Sequence, residues 1–404
     1  ATARDITLTG LGSLNGFAGT DSALNFDNIN AIVGTSATID TLTGLNAPST
    51  FNLQLAKAQY VSTNTLTITG IETLIGGTDA DTFTFTSAWT GAIDGGAGDD
   101  TLSYAGPTAA RSVDLTGLGA TDGFAGTASL LNGTFTNIDA LVGGNSTSDT
   151  FTGLDVASTF NLQPATLQYI STNTLSFSGI ENLVGGTDAD TFSLADGLLW
   201  NGSVDGGAGV DTLTFATFTT PRQVALTTTG SANDFNGTEA ALSSGFSNIN
   251  VLVGGTTSGD SLTGAALVAT WEIDGTNRYQ VVANEVAYAS FERLIGGTDA
   301  DQFDLSGAQT HNLQGGAGDD TFAFAAGAVL NGTIDGGAGT DTLDYRVYGA
   351  DINVNLANGT ATGTTGISRI EVINGGVGLN TITGDDGDNI LYGGPGDDIL
   401  IGGG

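Results

Sequence analysis

Seven segments of the chain repeat one nine-residue pattern. GGAGDDTLS spans 95–103, GGAGVDTLT 206–214, GGAGDDTFA 315–323 and GGAGTDTLD 336–344. Three more stand in direct tandem: GGVGLNTIT (375–383), GDDGDNILY (384–392) and GGPGDDILI (393–401). The sixth place holds Asp100, Asp211, Asp320, Asp341 and Asp398, or the carboxamides Asn380 and Asn389. Asp99, Asp319 and Asp397 come just before it. A variant, GGTDAD, occurs at 76–81, 185–190 and 296–301, with acids at the fourth and sixth places. These are Asp79 and Asp81, Asp188 and Asp190, Asp299 and Asp301. The chemistry such turns offer is oxygen coordination of a hard cation. Ca²⁺ takes six to eight oxygens from carboxylates and carbonyls. Gly permits positive φ, so a turn can curl its carbonyls inward. Bare stacking of carboxylates one strand apart costs about 1 kcal/mol per pair in water, and about 3–4 at an effective dielectric of 20. A divalent ion turns that repulsion into a clamp. Asn380 and Asn389 are weaker, uncharged ligands. The offset turns GTSATID, GGNSTSD and GGTTSGD, ending at Asp40, Asp149 and Asp260, carry one extra residue and read as plain structural turns.

The elements that must position these turns follow from repetition. DTLTGLNAPSTFNLQ from Asp40 returns as DTFTGLDVASTFNLQ from Asp149, and in diverged form from Asp260. The large unit is about 110 residues, giving units at 1–110, 111–221 and 222–350, with a partial unit at 351–404. Within them, Gly-Gly turns recur at a beat of 19 or 21 residues: Gly76 and Gly95, Gly185 and Gly206, then Gly296, Gly315 and Gly336. The third unit therefore holds one extra beat. Between turns lie TLTIT, TFTFT, TLSFS and TFAFA, the period-two alternation of half-buried strands. The fold expected is all-β: an elongated, right-handed parallel β-solenoid (β-roll or β-helix) with ~20-residue coils and Gly-Asp turns. The pairs Asp81/Asp100, Asp190/Asp211 and Asp301/Asp320 should stack, with Asp341 extending the last. The chain opens near a repeat start and stops in a Gly run, which reads as an excerpt of a longer protein.

The nonapeptides resemble the RTX, or hemolysin-type calcium-binding, repeat family, with its GGxGxDxUx signature. The match covers about a fifth of the chain. The resemblance implies Ca²⁺ as cofactor, held by the position-six side chains and by carbonyls of the Gly-rich positions. It also implies a protein exported unfolded that folds where calcium is millimolar.

Composition narrows the function classes. Eight cations against 43 acids leave a net charge of −35, so nucleic acid is excluded as a partner. No apolar run reaches the ~18 residues of a membrane-spanning helix, so no membrane insertion is expected. Cys is absent, which removes disulfides and thiolate sites. Only 7 of the 43 acids are Glu, so the carboxylates belong to turns rather than helices. His311 is the sole histidine and lies in no nucleophile motif, and no catalytic site is expected. Trp89, Trp200 and Trp271 read as packing residues. The divergence around Trp271, Arg278 and Tyr279 marks the place expected for a contact special to the third unit. The sequons at Asn132, Asn201, Asn236, Asn331 and Asn358 read as turns. The leading expectation is an extracellular, calcium-binding structural solenoid on a bacterial cell surface, in a filament, sheath, surface layer or adhesin stalk. Self-association end to end, or with other surface molecules, goes with it. The alternatives are an RTX-like accessory or secretion module of a secreted enzyme, or an ice- or glycan-binding solenoid displaying a flat Thr or aromatic row.

Overall fold

Thr and large apolar residues alternate through the segments between turns, and this pattern decides which side of each strand is buried. The computed structural model describes residues 2–403 apart from 23, 36–38, 105, 107 and 231–233. The middle of the GTSATID turn thus lies outside the described residues. The described residues form strands and turns and no helix, as an all-β solenoid requires. They divide into two compact units, Ala1–Thr191 with Trp200–Gly209, and Phe192–Leu199 with Val210–Gly404.

In the first unit, Thr41–Thr43, Thr73–Gly77 and Ala92–Gly96 stack in parallel, and Phe135–Ile138 follows. A second stack runs through Ser49–Gln54, Asp81–Phe85, Thr101–Ser103 and Ala140–Val142. Register is in phase, so like falls on like: Leu42 on Leu74 on Ile93, and Phe51 on Phe83 on Leu102. All of these are buried. The Phe51 and Phe83 rings lie 4.7 Å apart and nearly coplanar. Each fully buried aromatic or aliphatic side chain is worth about 1.5–3 kcal/mol.

The second unit repeats the plan. One stack is Ser261–Thr263, Arg293–Ile295, Asn312–Ala317, Thr333–Ala338 and Gly366–Ser368. Its inward column is Leu262, Leu294, Leu313, Ile334 and Ile367. The other stack carries Trp271, Phe303, Phe322 and Leu343 inward. Trp271 and Phe303 stack at 5.6 Å, Phe303 and Phe322 at 4.8 Å. Trp89, Trp200 and Trp271 are all buried, as packing residues should be.

The structure departs from a solenoid of uniform ~20-residue coils in one respect. Antiparallel three-stranded meanders are inserted among the parallel rungs. Ser49–Gln54, Lys57–Val61 and Thr65–Thr69 form one, and Gln223–Thr229, Phe235–Glu239 and Leu242–Ile249 another. Stacked turns are therefore 19 residues apart at Asp81 and Asp100, but 39 apart at Asp100 and Asp139. The reason is local. Between Asp100 and Asp139 the chain doubles back through Ser112–Leu118, Phe124–Ala128 and Phe135–Ile138 rather than making another coil. In the meander that begins at Ser49 the reversal is a two-residue hairpin loop, Leu55 and Ala56, with Ala56 at φ 61°. The hairpin strand is pinned by Tyr60, whose hydroxyl bonds Leu45 N–H and Ser49 Oγ. Tyr169 does the same with Leu154 and Ser158.

Candidate metal centre

In-register stacking brings the sixth-place side chains of Asp100, Asp320, Asp341 and Asp398 under the turn of the preceding coil. Asp100 Oδ1 accepts the Asp81 N–H at 2.7 Å, and Asp320 Oδ1 accepts the Asp301 N–H at 2.7 Å. Asp341 Oδ1 accepts the Asp320 N–H at 2.8 Å. Two of the expected pairs and the extension to Asp341 are thus stacked. Asp190 and Asp211 fall in different units. Asp398 Oδ1 continues the pattern onto Asn380 N–H at 2.9 Å.

The ladder extends to residues that the motif did not mark. Glu72 caps the Asp40 N–H, Glu181 that of Asp149, Glu292 that of Asp260 and Glu371 that of Asp341. Asp139 caps Asp100, and Asn250 caps Asp211. A signal existed: four of the seven Glu follow Ile or Phe at the same point of the repeat, as Ile71-Glu72, Ile180-Glu181, Phe291-Glu292 and Ile370-Glu371. The offset-turn acids Asp40, Asp149 and Asp260 are fully buried and close their own turns, Asp149 and Asp260 through Gly144 and Gly255 N–H.

The second carboxylate oxygen separates two kinds of turn. In GGTDAD turns it is used: Asp301 Oδ2 accepts Gly297 N–H at 2.6 Å, and Asp190 Oδ2 accepts Gly186 N–H at 2.8 Å. Asp81 leans toward the Gly77 and Ser49 backbones, with neither oxygen inside hydrogen-bond geometry. In GGAGxD turns the second Gly flips to positive φ, 99° at Gly96 and 111° at Gly316 and Gly337. The Gly96 N–H then turns away to Asp94 Oδ1 at 3.0 Å. Asp100, Asp320 and Asp341 are 0% exposed, and their Oδ2 atoms have no hydrogen-bond partner.

What faces those oxygens is more oxygen. A Cβ built on Gly315 would overlap both Asp320 Oδ2 and the Gly336 carbonyl of the next coil. At Gly95 the two are Asp100 Oδ2 and Asn137 O, and at Gly336 they are Asp341 Oδ2 and Arg369 O. Gly296 has the same two kinds of neighbour, Asp301 Oδ2 and Gly315 O, but there the Oδ2 also accepts the Gly297 N–H. Asn380 shows the complement, because its Nδ2 donates to Gly376 O at 2.9 Å and Gly393 O at 2.7 Å. An amide satisfies the carbonyls; a carboxylate needs a proton or a cation between. Burial, the largest cause, pushes Asp100 up to about 8, Asp320 to about 7 and Asp341 to about 6.

The donors suit Ca²⁺ in kind, being oxygens only. The turn-tip acids Asp79, Asp99, Asp188, Asp299, Asp319 and Asp397 are exposed, and Asp319 Oδ1 is occupied by Thr340 N–H. Asn389 Oδ1 closes its own turn on Asp385 N–H. Among the described residues no three His, Asp or Glu side chains lie together as a metal-binding group. An ion in these turns would therefore draw on one inward carboxylate and on backbone carbonyls. No protein-family model matches the chain, and no curated protein matches it in sequence.

Proposed function

We propose that the protein is an extracellular, non-enzymatic structural solenoid whose GGAGxD turns are completed by calcium, serving a bacterial surface filament, sheath, layer or adhesin stalk. The observation that carries the calcium reading is the buried Oδ2 of Asp100, Asp320 and Asp341, which has no hydrogen-bond partner and lies in a turn crossed by a backbone carbonyl of the stacked coil, Asn137 O, Gly336 O or Arg369 O. These three residues would hold the ion, and the ion would supply the positive charge that lets the carboxylates stay buried and ionised. Binding free energy is then folding free energy. The RTX-like signature supports the same reading, as does a net charge of −35, which favours counter-ion uptake. Self-association is supported by the last strands, where Ile390, Tyr392, Ile399, Leu400 and Ile401 are about half exposed.

The ice-binding alternative asks for an outward Thr row on successive rungs. Thr50, Thr82 and Thr101 do align on three rungs, but the row stops at Ala140, and Thr67 has Ala31 on one side and Gln59 on the other. Far-UV circular dichroism during calcium titration after chelation tests the proposal. A gain of β signal or of thermal midpoint, lost in the Asp100→Ala, Asp320→Ala, Asp341→Ala triple variant, is the expected result. A spectrum and midpoint indifferent to calcium would refute it.

A further inference from the structure

The extra coil of the third repeat changes the outward face of the second unit. Two adjoining cavities, about 440 and 340 Å³, share Arg293 and Asn312. The first also takes Ser258, Thr310, His311 and Asn331, and the second Gln314, Thr333 and Asp335. His311, Asn312 and Gln314 all come from the added coil. They are departures from the repeat. Arg293 stands where other repeats have Thr73 and Asn182, on rungs aligned by register. His311 stands where neighbouring coils have Gly91, Gly202 and Gly332. Gln314 stands where they have Asp94, Asp205 and Asp335.

The last replacement matters most. Among the described residues of this unit, Arg222, Arg278, Arg346 and Arg369 each pair with a carboxylate, and Arg293 with none. Its guanidinium meets Gln314 Oε1. An Asp there would neutralise it, as Asp335 does Arg369 one rung on. The other acid beside it, Glu292, spends its Oε2 on Gly259 and Asp260 N–H at 2.9 and 3.0 Å. The cleft therefore holds a cation without an ion-pair partner, oriented by an amide and set among further amides and hydroxyls, with the carboxylates of Glu292 and Asp335 in the same lining but engaged elsewhere. His311 Nδ1 lies 2.9 Å from Phe291 O, a pure acceptor. Its Nδ1 therefore carries the proton, and Nε2 is left as an acceptor.

We propose that this cleft binds a carboxylate-bearing sugar, a uronate residue of a glycan, with Arg293 forking onto the carboxylate. Asn312, Asn331, Thr310 and Thr333 engage ring hydroxyls, and His311 Nε2 accepts from one. Arg is suited to this role because its planar donors match a carboxylate in bidentate fashion. Amides and hydroxyls alone would select for polarity but not for acid.

Isothermal titration of the full chain with a galacturonate tetramer and with the matching galactose tetramer, at constant calcium, tests it. The acidic tetramer should bind at least tenfold tighter. Arg293→Gln should remove that advantage, and Gln314→Asp should do the same by pairing Arg293 internally. Unchanged circular dichroism would show that both variants fold. Equal affinity for the two sugars, binding of neither at millimolar concentration, or an unaffected Arg293→Gln variant would overturn the assignment. So would an oligoglutamate peptide binding as tightly as the uronate.

Discussion

GGTDAD and GGAGxD turns differ at three interior positions, and the stacked pair Asp301 and Asp320 shows two ways of handling the same buried carboxylate. At Asp301 both oxygens accept backbone N–H groups, from Ala269 and from Gly297. At Asp320 one oxygen accepts and the other faces a glycine carbonyl. The switch is the second Gly. At Gly316 its φ is positive, as at Gly96, whose N–H goes to Asp94 Oδ1 instead of the carboxylate. At Asp301 the turn satisfies its own carboxylate; at Asp320 one oxygen is left to be completed. The comparison teaches that a shared Asp at one repeat position does not imply a shared role. The direction of a neighbouring amide decides.

Breaking the stack outright gives the largest effect. Gly315→Ala places a methyl group against Asp320 Oδ2 and Gly336 O, and the close approach of two backbones cannot relax. A loss of about 3 kcal/mol in denaturant unfolding is expected, by the cost of overpacking. A near-neutral outcome would show that the turn has slack. The same substitution in the two turn classes gives the sharpest contrast. Asp301→Asn must set an amide NH₂ against a backbone N–H, either Ala269's or Gly297's, at a cost of about 2 kcal/mol. Asp320→Asn keeps the bond to Asp301 N–H and lets the new NH₂ donate to Gly336 O, as Asn380 does to Gly393 O. In chelator it should stabilise by about 1 kcal/mol while weakening the calcium response. Effects of the same sign at both positions would break the comparison.

The pH dependence probes the same buried carboxyls together rather than one at a time. The carboxyls of Asp100, Asp320 and Asp341 lie at about 8, 7 and 6, raised from an ordinary 3.8 by burial. Between pH 4 and 8 the folded chain thus holds protons that the unfolded chain has released. Their stabilising contribution is complete below pH 4 and is lost as pH rises through the folded values. In chelator the unfolding free energy should fall from pH 5 to pH 8, by up to about 1.4 kcal/mol per pH unit for each proton held, and the thermal midpoint with it. Saturating calcium should flatten that slope. A midpoint that rises with pH in chelator would contradict the burial of these groups.

The sequence by itself determined the all-β solenoid, because period-two alternation allows only one buried side and Gly-Gly turns punctuate it at a regular beat. It also marked Asp81, Asp100, Asp301, Asp320 and Asp341 as stacked, since stacking follows from the beat alone. The meanders at Lys57–Val61 and Phe235–Glu239 were not legible. Alternation reads the same in parallel and antiparallel strands, and only hydrogen-bond direction separates them. The capping Glu residues were visible as a repeat but not interpretable, because their partners lie 30 to 33 residues away. Only the tertiary structure decided which carboxylate oxygens are satisfied. That depends on where one glycine N–H points and which carbonyl the next coil brings over it. Both are set by the stacking of distant segments, not by any residue's own type.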